Sequence, residues 1–203
     1  MLKYQRIYSI CFITIMGFFA AGFTFGLLTP ENTPGYLKEE YQDTIQGFQR
    51  HLGEFRPESQ RLSFLEALHA ALPNSGGILR YIISNNLYAG FLSVVVGIFG
   101  VTPLLQATTE GMRVSWDFQF PSLLPFLFGF HGVLEVFSAM LFQATGLFIF
   151  YAFILSLRRR INLKHAAGDV GKLTTLATFL MVIAALLETF PTRILIRMYC
   201  YSS

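Results

Sequence analysis

The sequence predicts an all-α protein: a polytopic bundle of about five transmembrane helices, with room for one to be broken or re-entrant, and a helical insertion outside the membrane. Three observations predict it. Of 203 residues, 53% are hydrophobic and only 13% charged, and the mean hydropathy is +0.51. Charge is that low because long segments contain none, which marks a membrane chain rather than a large soluble core. Several of those segments reach the roughly 20 apolar residues that a spanning helix needs. The remaining cations gather in short stretches between them, Lys3 with Arg6 and Arg158 to Arg160 above all.

The net charge of +3 is modest and spread over loops, so there is no nucleic-acid footprint. Cys11 and Cys200 lie near opposite ends in or beside apolar segments. They have neither the spacing of a metal site nor that of a redox pair.

Residues 7–28 are the first span. Lys3 and Arg6 precede it as in a signal peptide, but the apolar run is long and lacks a small-x-small cleavage site, so a retained helix is expected. Gly17, Gly22 and Gly26 form a small-residue stripe suited to close helix packing. Thr29-Pro30 ends the helix. Residues 29–77 are the one long polar segment. Tyr41, Ile45, Phe48 and Leu52 recur at helical spacing, and a second helix is expected around residues 63–72, opened by a capping box at Ser63 and Glu66. This hairpin suits a membrane surface or a partner protein; His51 and His69 within it read as solvated side chains rather than ligands.

Residues 78–101 are the second span, with Asn85 and Asn86 in its first half and Gly90 and Gly97 beyond them. Asparagines at membrane depth need partners, and the plain reading is hydrogen bonding between helices; a solute or ion site is the sharper one. Residues 102–120 carry Glu110, Arg113 and Asp117 and read as a loop by hydropathy. Parity argues otherwise. Lys3 and Arg6 place the N-terminus inside, and Arg158–Arg160 with Lys164 and Lys172 place the later loop inside too. The three apolar spans before that loop are an odd number. A further crossing is needed, from 102–120 or from a break near residues 125–132, and either puts protein-lined polar groups at membrane depth.

The stretch 123–157 is the centre of the pattern. It holds His131 and Glu135, four residues apart and so on one helix face, with Gly132 and Gly146 as packing positions. An acidic residue at mid-membrane costs about 2.5–3.5 kcal/mol, so both groups are expected to look into the protein. A last span covers residues 173–190 and ends in the segment Glu188-Thr189-Phe190-Pro191-Thr192; residues 193–203 are expected to form an interfacial tail with Arg193 and Arg197 snorkelling.

Asn85-Asn86 leading into a Gly-rich span, His131-Gly132-Val133-Leu134-Glu135, Gly146, and Glu188-Thr189-Phe190-Pro191-Thr192 together resemble the stage II sporulation protein M family over residues 78–192. Two positions depart from the family pattern: Glu110-Gly111 stands where an Asn-Gly step is usual, and Pro191-Thr192 replaces the commoner Thr-Pro order. The resemblance implies a multi-pass membrane protein. It also implies a role as membrane organiser, since the founding member works in engulfment beside cell-wall hydrolases.

Three functional readings follow. In the leading one the chain is a non-enzymatic scaffold or complex subunit, built on a buried network of His131, Glu135, Glu188, Asn85, Asn86 and Glu110. Its partners would be the lipid bilayer and other membrane or envelope proteins, and the glycine stripes permit a homodimer. In the second, the same titratable groups serve as a proton or ion relay in a transporter or channel-like component. The third, a metal-dependent intramembrane hydrolase, is weakest: His131 and Glu135 lack the second histidine of a zinc-protease helix, and Ser138 lacks a nucleophile-elbow context. No cofactor and no metal are called for by any motif.

Overall fold

The computed structural model describes residues 4–29, 61–73, 75–118 and 130–199. The helix expected over residues 41–52 lies outside them, as does most of the break expected near residues 125–132; residues 130–132 are described and belong to an unbroken helix, so there is no break at Gly132. Among the described residues every regular element is a helix. They are α1 (Gln5–Leu28), α2 (Phe64–Ala71), α3 (Ser75–Val96), α4 (Thr102–Asp117), α5 (Phe130–Leu157), α6 (Leu163–Leu187) and α7 (Arg193–Tyr199).

Four helical stretches are long and apolar enough to cross a membrane: Gln5–Leu28, Ser75–Phe99, His131–Leu157 and Leu163–Leu195. Their outer faces expose large apolar side chains such as Ile13, Phe25, Tyr88, Val95, Val133 and Phe179. In water such faces would be unfavourable; against acyl chains they are the expected surface. α5 is the hub. Its apolar window is 56% buried against 22% for α1, and residues 140–148 are buried on every side, the pattern of a helix with neighbours all round. Around it Tyr8, Cys11 and Ile15 of α1, Ala107 of α4 and Ala177 and Met181 of α6 complete one apolar core.

Small residues set how closely the helices approach. A β-carbon at Gly22 would land on the backbone of Thr108, and one at Gly26 on the Ser115 side chain; Gly111 in turn meets the backbone of Phe19 and Phe23. α1 and α4 therefore run parallel in backbone contact, as two of the three glycines of the N-terminal stripe anticipate. Gly17 faces open space instead. Gly97 and Gly146 likewise touch backbone to backbone, and Gly90 lies under the Phe142 ring, so α3 and α5 are also parallel. α6 is antiparallel to α5, joined to it by Ser138 Oγ donating to the Ala177 carbonyl at 3.0 Å.

The chain reverses between α3 and α4 through a 3-10 turn, Gly97–Phe99. Gly100 follows with φ +69, a conformation that costs glycine nothing. Pro103 then starts α4 in a turn where its missing N–H would have no helical partner anyway. The polar segment that hydropathy makes a loop is thus a 16-residue helix, about 24 Å long against roughly 30 Å of hydrocarbon. Averaging over its residues hides that its polar side turns inward.

α6 begins ten residues before the expected start, because Asn162 caps it by accepting from Lys164 N at 2.9 Å and because Asp169 is buried rather than solvated. Asp169 accepts the Tyr4 N–H at 2.9 Å, and Tyr4 Oη accepts from Asn162 N at 2.9 Å. Lys164 and Lys172 are accordingly helical, and the α5–α6 connection shrinks to the Arg158–Asn162 turn. At its far end α6 widens into a π-turn over Glu188–Thr192, which accommodates Pro191, and continues as α7.

The two ends of the bundle are each tied together. At one, the start of α1 meets the α5–α6 turn through Tyr4. At the other, Ala67 and Ala71 of α2 pack on Ile194 of α7, Leu62 N donates to Met198 O at 3.3 Å, and Arg193 Nη1 donates to Ser75 Oγ at 3.3 Å. The capping box of α2 forms as expected: Ser63 N donates to Glu66 Oε2 at 2.9 Å, and Glu66 N returns a bond to Ser63 Oγ at 3.4 Å.

Candidate functional site: a polar cleft between α3, α4 and α5

Three helices each present a polar stripe to one space. On α3, Asn86, Gly90 and Ser93 follow one another at spacings of four and three, with Asn85 at the mouth. On α4, Gln106, Thr109, Glu110 and Arg113 occupy i, i+3, i+4 and i+7, a single face opposite the one that Gly111 and Ser115 pack on α1. On α5, Glu135, Ala139 and Gln143 stand four apart. Together with Met181 of α6 they enclose a cleft of about 480 Å³.

A hydrogen bond spans it. Asn86 Nδ2 donates to Glu135 Oε1 at 2.9 Å, across 49 residues of sequence. A carboxylate accepting from an amide N–H is among the stronger hydrogen bonds. Glu135 also lies within electrostatic reach of Glu188, Glu110 and Arg113. Gln106 and Gln143 lie along the walls, but their Oε1 atoms are buried and accept no hydrogen bond among the described residues; Gln143 as a whole is only 5% exposed. An acceptor held in a low-dielectric site without a donor is costly, so each such group asks for an explanation.

The sequence-derived candidates divide. Asn85, Asn86, Glu110 and Glu135 come together on the cleft, and Gly90 lies on its wall. Gly97 and Gly146 form the α3–α5 contact beyond it. His131 is buried in the first turn of α5, 5% exposed, next to the buried Gly132, and Glu188 is half-buried at the π-turn. Neither is among the lining residues, although the charge of Glu188 is felt at Glu135. Ser138 is fully buried and donates to Ala177, which leaves it no approach to a substrate. Among the described residues no three His, Cys, Asp or Glu side chains gather as a metal-binding group.

Gln106, Thr109, Arg113, Ser93 and Gln143 belong to the site and were not anticipated there. The signal existed for α4: once 102–117 is read as a helix, its polar residues fall on one face. For Gln143 the signal is its distance of two turns from Glu135.

Apolar helices of bilayer length packed about a hub helix, with charged groups turned into an internal cleft, define an integral polytopic membrane protein. The family model described as Stage II sporulation protein M matches residues 15–193, most of the chain, and the chain belongs to that family. The match takes in the greater part of the first span as well as the region where the motifs lie. No curated protein and no solved structure matches.

Proposed function

We propose that this membrane protein handles a small polar solute or ion, admitted to the cleft between α3, α4 and α5. The observation that carries the reading is a polar cavity of about 480 Å³ at helices of membrane-spanning character. A network serving only to fix helix register would be closed and satisfied, whereas here the polar faces leave a cleft between them, and two buried amide oxygens beside it have no donor among the described residues. Ligand sites between transmembrane helices have this character: irregular or polar lining confined to a protein-walled cavity.

The orientation we propose places the N-terminus and the Arg158–Arg160 turn in the cytoplasm and residues 29–77 outside. Two features support it: the shared end at which Tyr4 bonds to Asn162 and Asp169, and the cationic residues there.

The test is labelling of cysteines introduced one at a time, in intact membranes, by a membrane-impermeant thiol reagent, in a Cys200→Ser background that keeps the buried Cys11 and serves as the blank. Ser93→Cys and Thr109→Cys, on the cleft walls, should react, and Leu147→Cys, in the closed core, should not. If the two cleft positions are as inert as Leu147→Cys, solute does not enter and the reading fails.

A scaffold role in an envelope complex is the second reading, favoured by the Asn86–Glu135 and Ser138–Ala177 bonds that tie three helices together. On that reading Glu135→Gln lowers thermal stability and capture of envelope partners together, and leaves the cleft cysteines unreactive.

A further inference from the structure

We propose that the turn between α5 and α6 is a docking surface for an anionic phospholipid, whose phosphate is held by Arg158, Arg159 and Arg160 with Lys164 and Arg6 beside them. This surface is separate from the cleft and does not require that solute enter it. All five cations are exposed. Arg6 joins the turn because Tyr4, two residues before it, accepts from Asn162 N at 2.9 Å. The sequence around them supplies almost no negative charge: residues 1–30 contain no acid, and residues 136–187 contain one, Asp169. That acid is buried and accepts the Tyr4 N–H, and its Oδ1 lies 3.9 Å from Lys172 Nζ.

Charge alone would serve orientation in the membrane, for which lysine and arginine are equivalent. Two further features favour a bound phosphate. The first is the backbone. Arg160 N donates to Leu155 O at 2.9 Å and Arg159 N to Ser156 O at 2.8 Å, the paired bonds of a Schellman helix end, in which glycine usually fills the position that Arg159 takes here. Arg159 has φ +55, the one positive value outside glycine among the described residues. An arginine where glycine would be at ease breaks a local rule, and such departures gather at functional positions. The second feature is the surface beneath. Leu157 is 70% exposed, Phe153 is exposed one turn before it on the same face, and Leu163 is exposed beyond the turn. Apolar side chains and guanidinium forks thus adjoin, the order in which a phospholipid presents acyl chain and phosphate. An acidic protein segment would match the cations and leave these apolar side chains uncovered.

The experiment measures quenching of a single tryptophan by brominated lipids, with the purified full chain reconstituted in phosphatidylcholine vesicles. Trp116, the one tryptophan of the chain, is removed by Trp116→Phe, and Leu157→Trp then reports on the turn. Val133→Trp, near the opposite end of α5 and 60% exposed, is the control. At Leu157→Trp, brominated phosphatidylglycerol should associate about fivefold more tightly than brominated phosphatidylcholine, the contribution of roughly one interfacial cation. The control should show no preference. Arg159→Gly should lower the preference by about half or more, and leave the melting temperature unchanged or raised, since glycine suits that backbone. Arg158→Gln, Arg159→Gly and Arg160→Gln combined should bring it to parity. Inorganic phosphate should displace the lipid no more than chloride does at equal ionic strength; if it displaces more, the turn binds free anions and the proposal fails. Equal quenching by the two lipids at Leu157→Trp, the same preference at Val133→Trp, or a preference undiminished in both Arg159→Gly and the combined variant would also overturn it. The cations would then serve orientation or an acidic protein.

Discussion

Replacing Gly146 by alanine adds one methyl group at the contact that fixes α3 against α5. The new β-carbon would lie 2.6 Å from Ser93 O and 3.1 Å from Gly97 Cα. Ordinary contact begins at 3.4 Å, so α3 must retreat by about 0.8 Å from the first of these atoms. Both neighbours are backbone and cannot rotate away. Overpacking of this kind costs about 1–3 kcal/mol. A rigid retreat of α3 would also lengthen the Asn86–Glu135 bond from 2.9 Å to about 3.7 Å, past hydrogen-bond range. Bonds between transmembrane helices contribute about 0.6 to 1.7 kcal/mol. The expected loss is therefore about 2–5 kcal/mol, a large fraction of the roughly 5–15 kcal/mol that keeps a protein folded. Gly17→Ala is the matched control, the same methyl group where nothing lies within 4 Å. It should be neutral or stabilising by up to about 1 kcal/mol, from helix propensity alone. Unfolding of both variants in mixed detergent, followed by far-UV circular dichroism, measures the difference. If Gly146→Ala is no less stable than Gly17→Ala, backbone contact between α3 and α5 does not exist as described.

Other consequences are local. Ser63→Ala should lower the stability of α2 by about 0.5–2 kcal/mol, seen as faster amide hydrogen exchange across Phe64–Ala71 and nowhere in α5. The Ser63 hydroxyl and N–H hold the Glu66 carboxyl below its ordinary range. Its contribution is therefore present above the unfolded value of about 4.3 and lost as pH falls through the lower folded value. Protection of the α2 amides, corrected for the intrinsic pH dependence of exchange, should fall on acidification through that window, and protection that stays constant or rises there would contradict the assignment. Asp169→Ala removes the carboxylate that accepts the Tyr4 N–H at the start of α1, a cap supplied by another helix. It should cost about 0.5–2 kcal/mol and make the N-terminal segment more sensitive to limited proteolysis; unchanged cleavage would argue against the tie.

The apolar spans were legible because their signal is local and additive: twenty residues without charge can hardly be anything else. The capping box was legible too, since Ser63 and Glu66 are three residues apart and the bond forms within one turn. The Gly22 and Gly26 contacts could be read as a stripe, though the helix they receive could not be named. α4 was hidden by averaging, because Glu110 and Arg113 count against a membrane helix until it is known that their face turns toward Asn86 and Glu135. The early start of α6 was hidden for a related reason. Asp169 looks like a loop residue unless its long-range partner, the backbone of Tyr4, is in view. At the site, Asn86 and Glu135 stood out as polar groups in apolar runs. Gln143, uncharged and flanked by Phe142 and Ala144, gave no such contrast, and its role depends on a cavity that no spacing rule describes. His131 illustrates the converse: stacking with Glu135 on one helix face does not put it on the cleft.

The central claim is that the acid of α5 faces α3 inside the bundle rather than lipid. Cross-linking in native membranes tests it most directly, with Asn86→Cys paired with Glu135→Cys and treated with a short bis-methanethiosulfonate reagent. A matched pair joins Asn86→Cys to Val133→Cys, whose position on α5 is 60% exposed on the outer surface. Rapid intramolecular cross-linking of the first pair and none of the second is the predicted result. Equal yields from the two pairs, or cross-links only between separate chains, would contradict it.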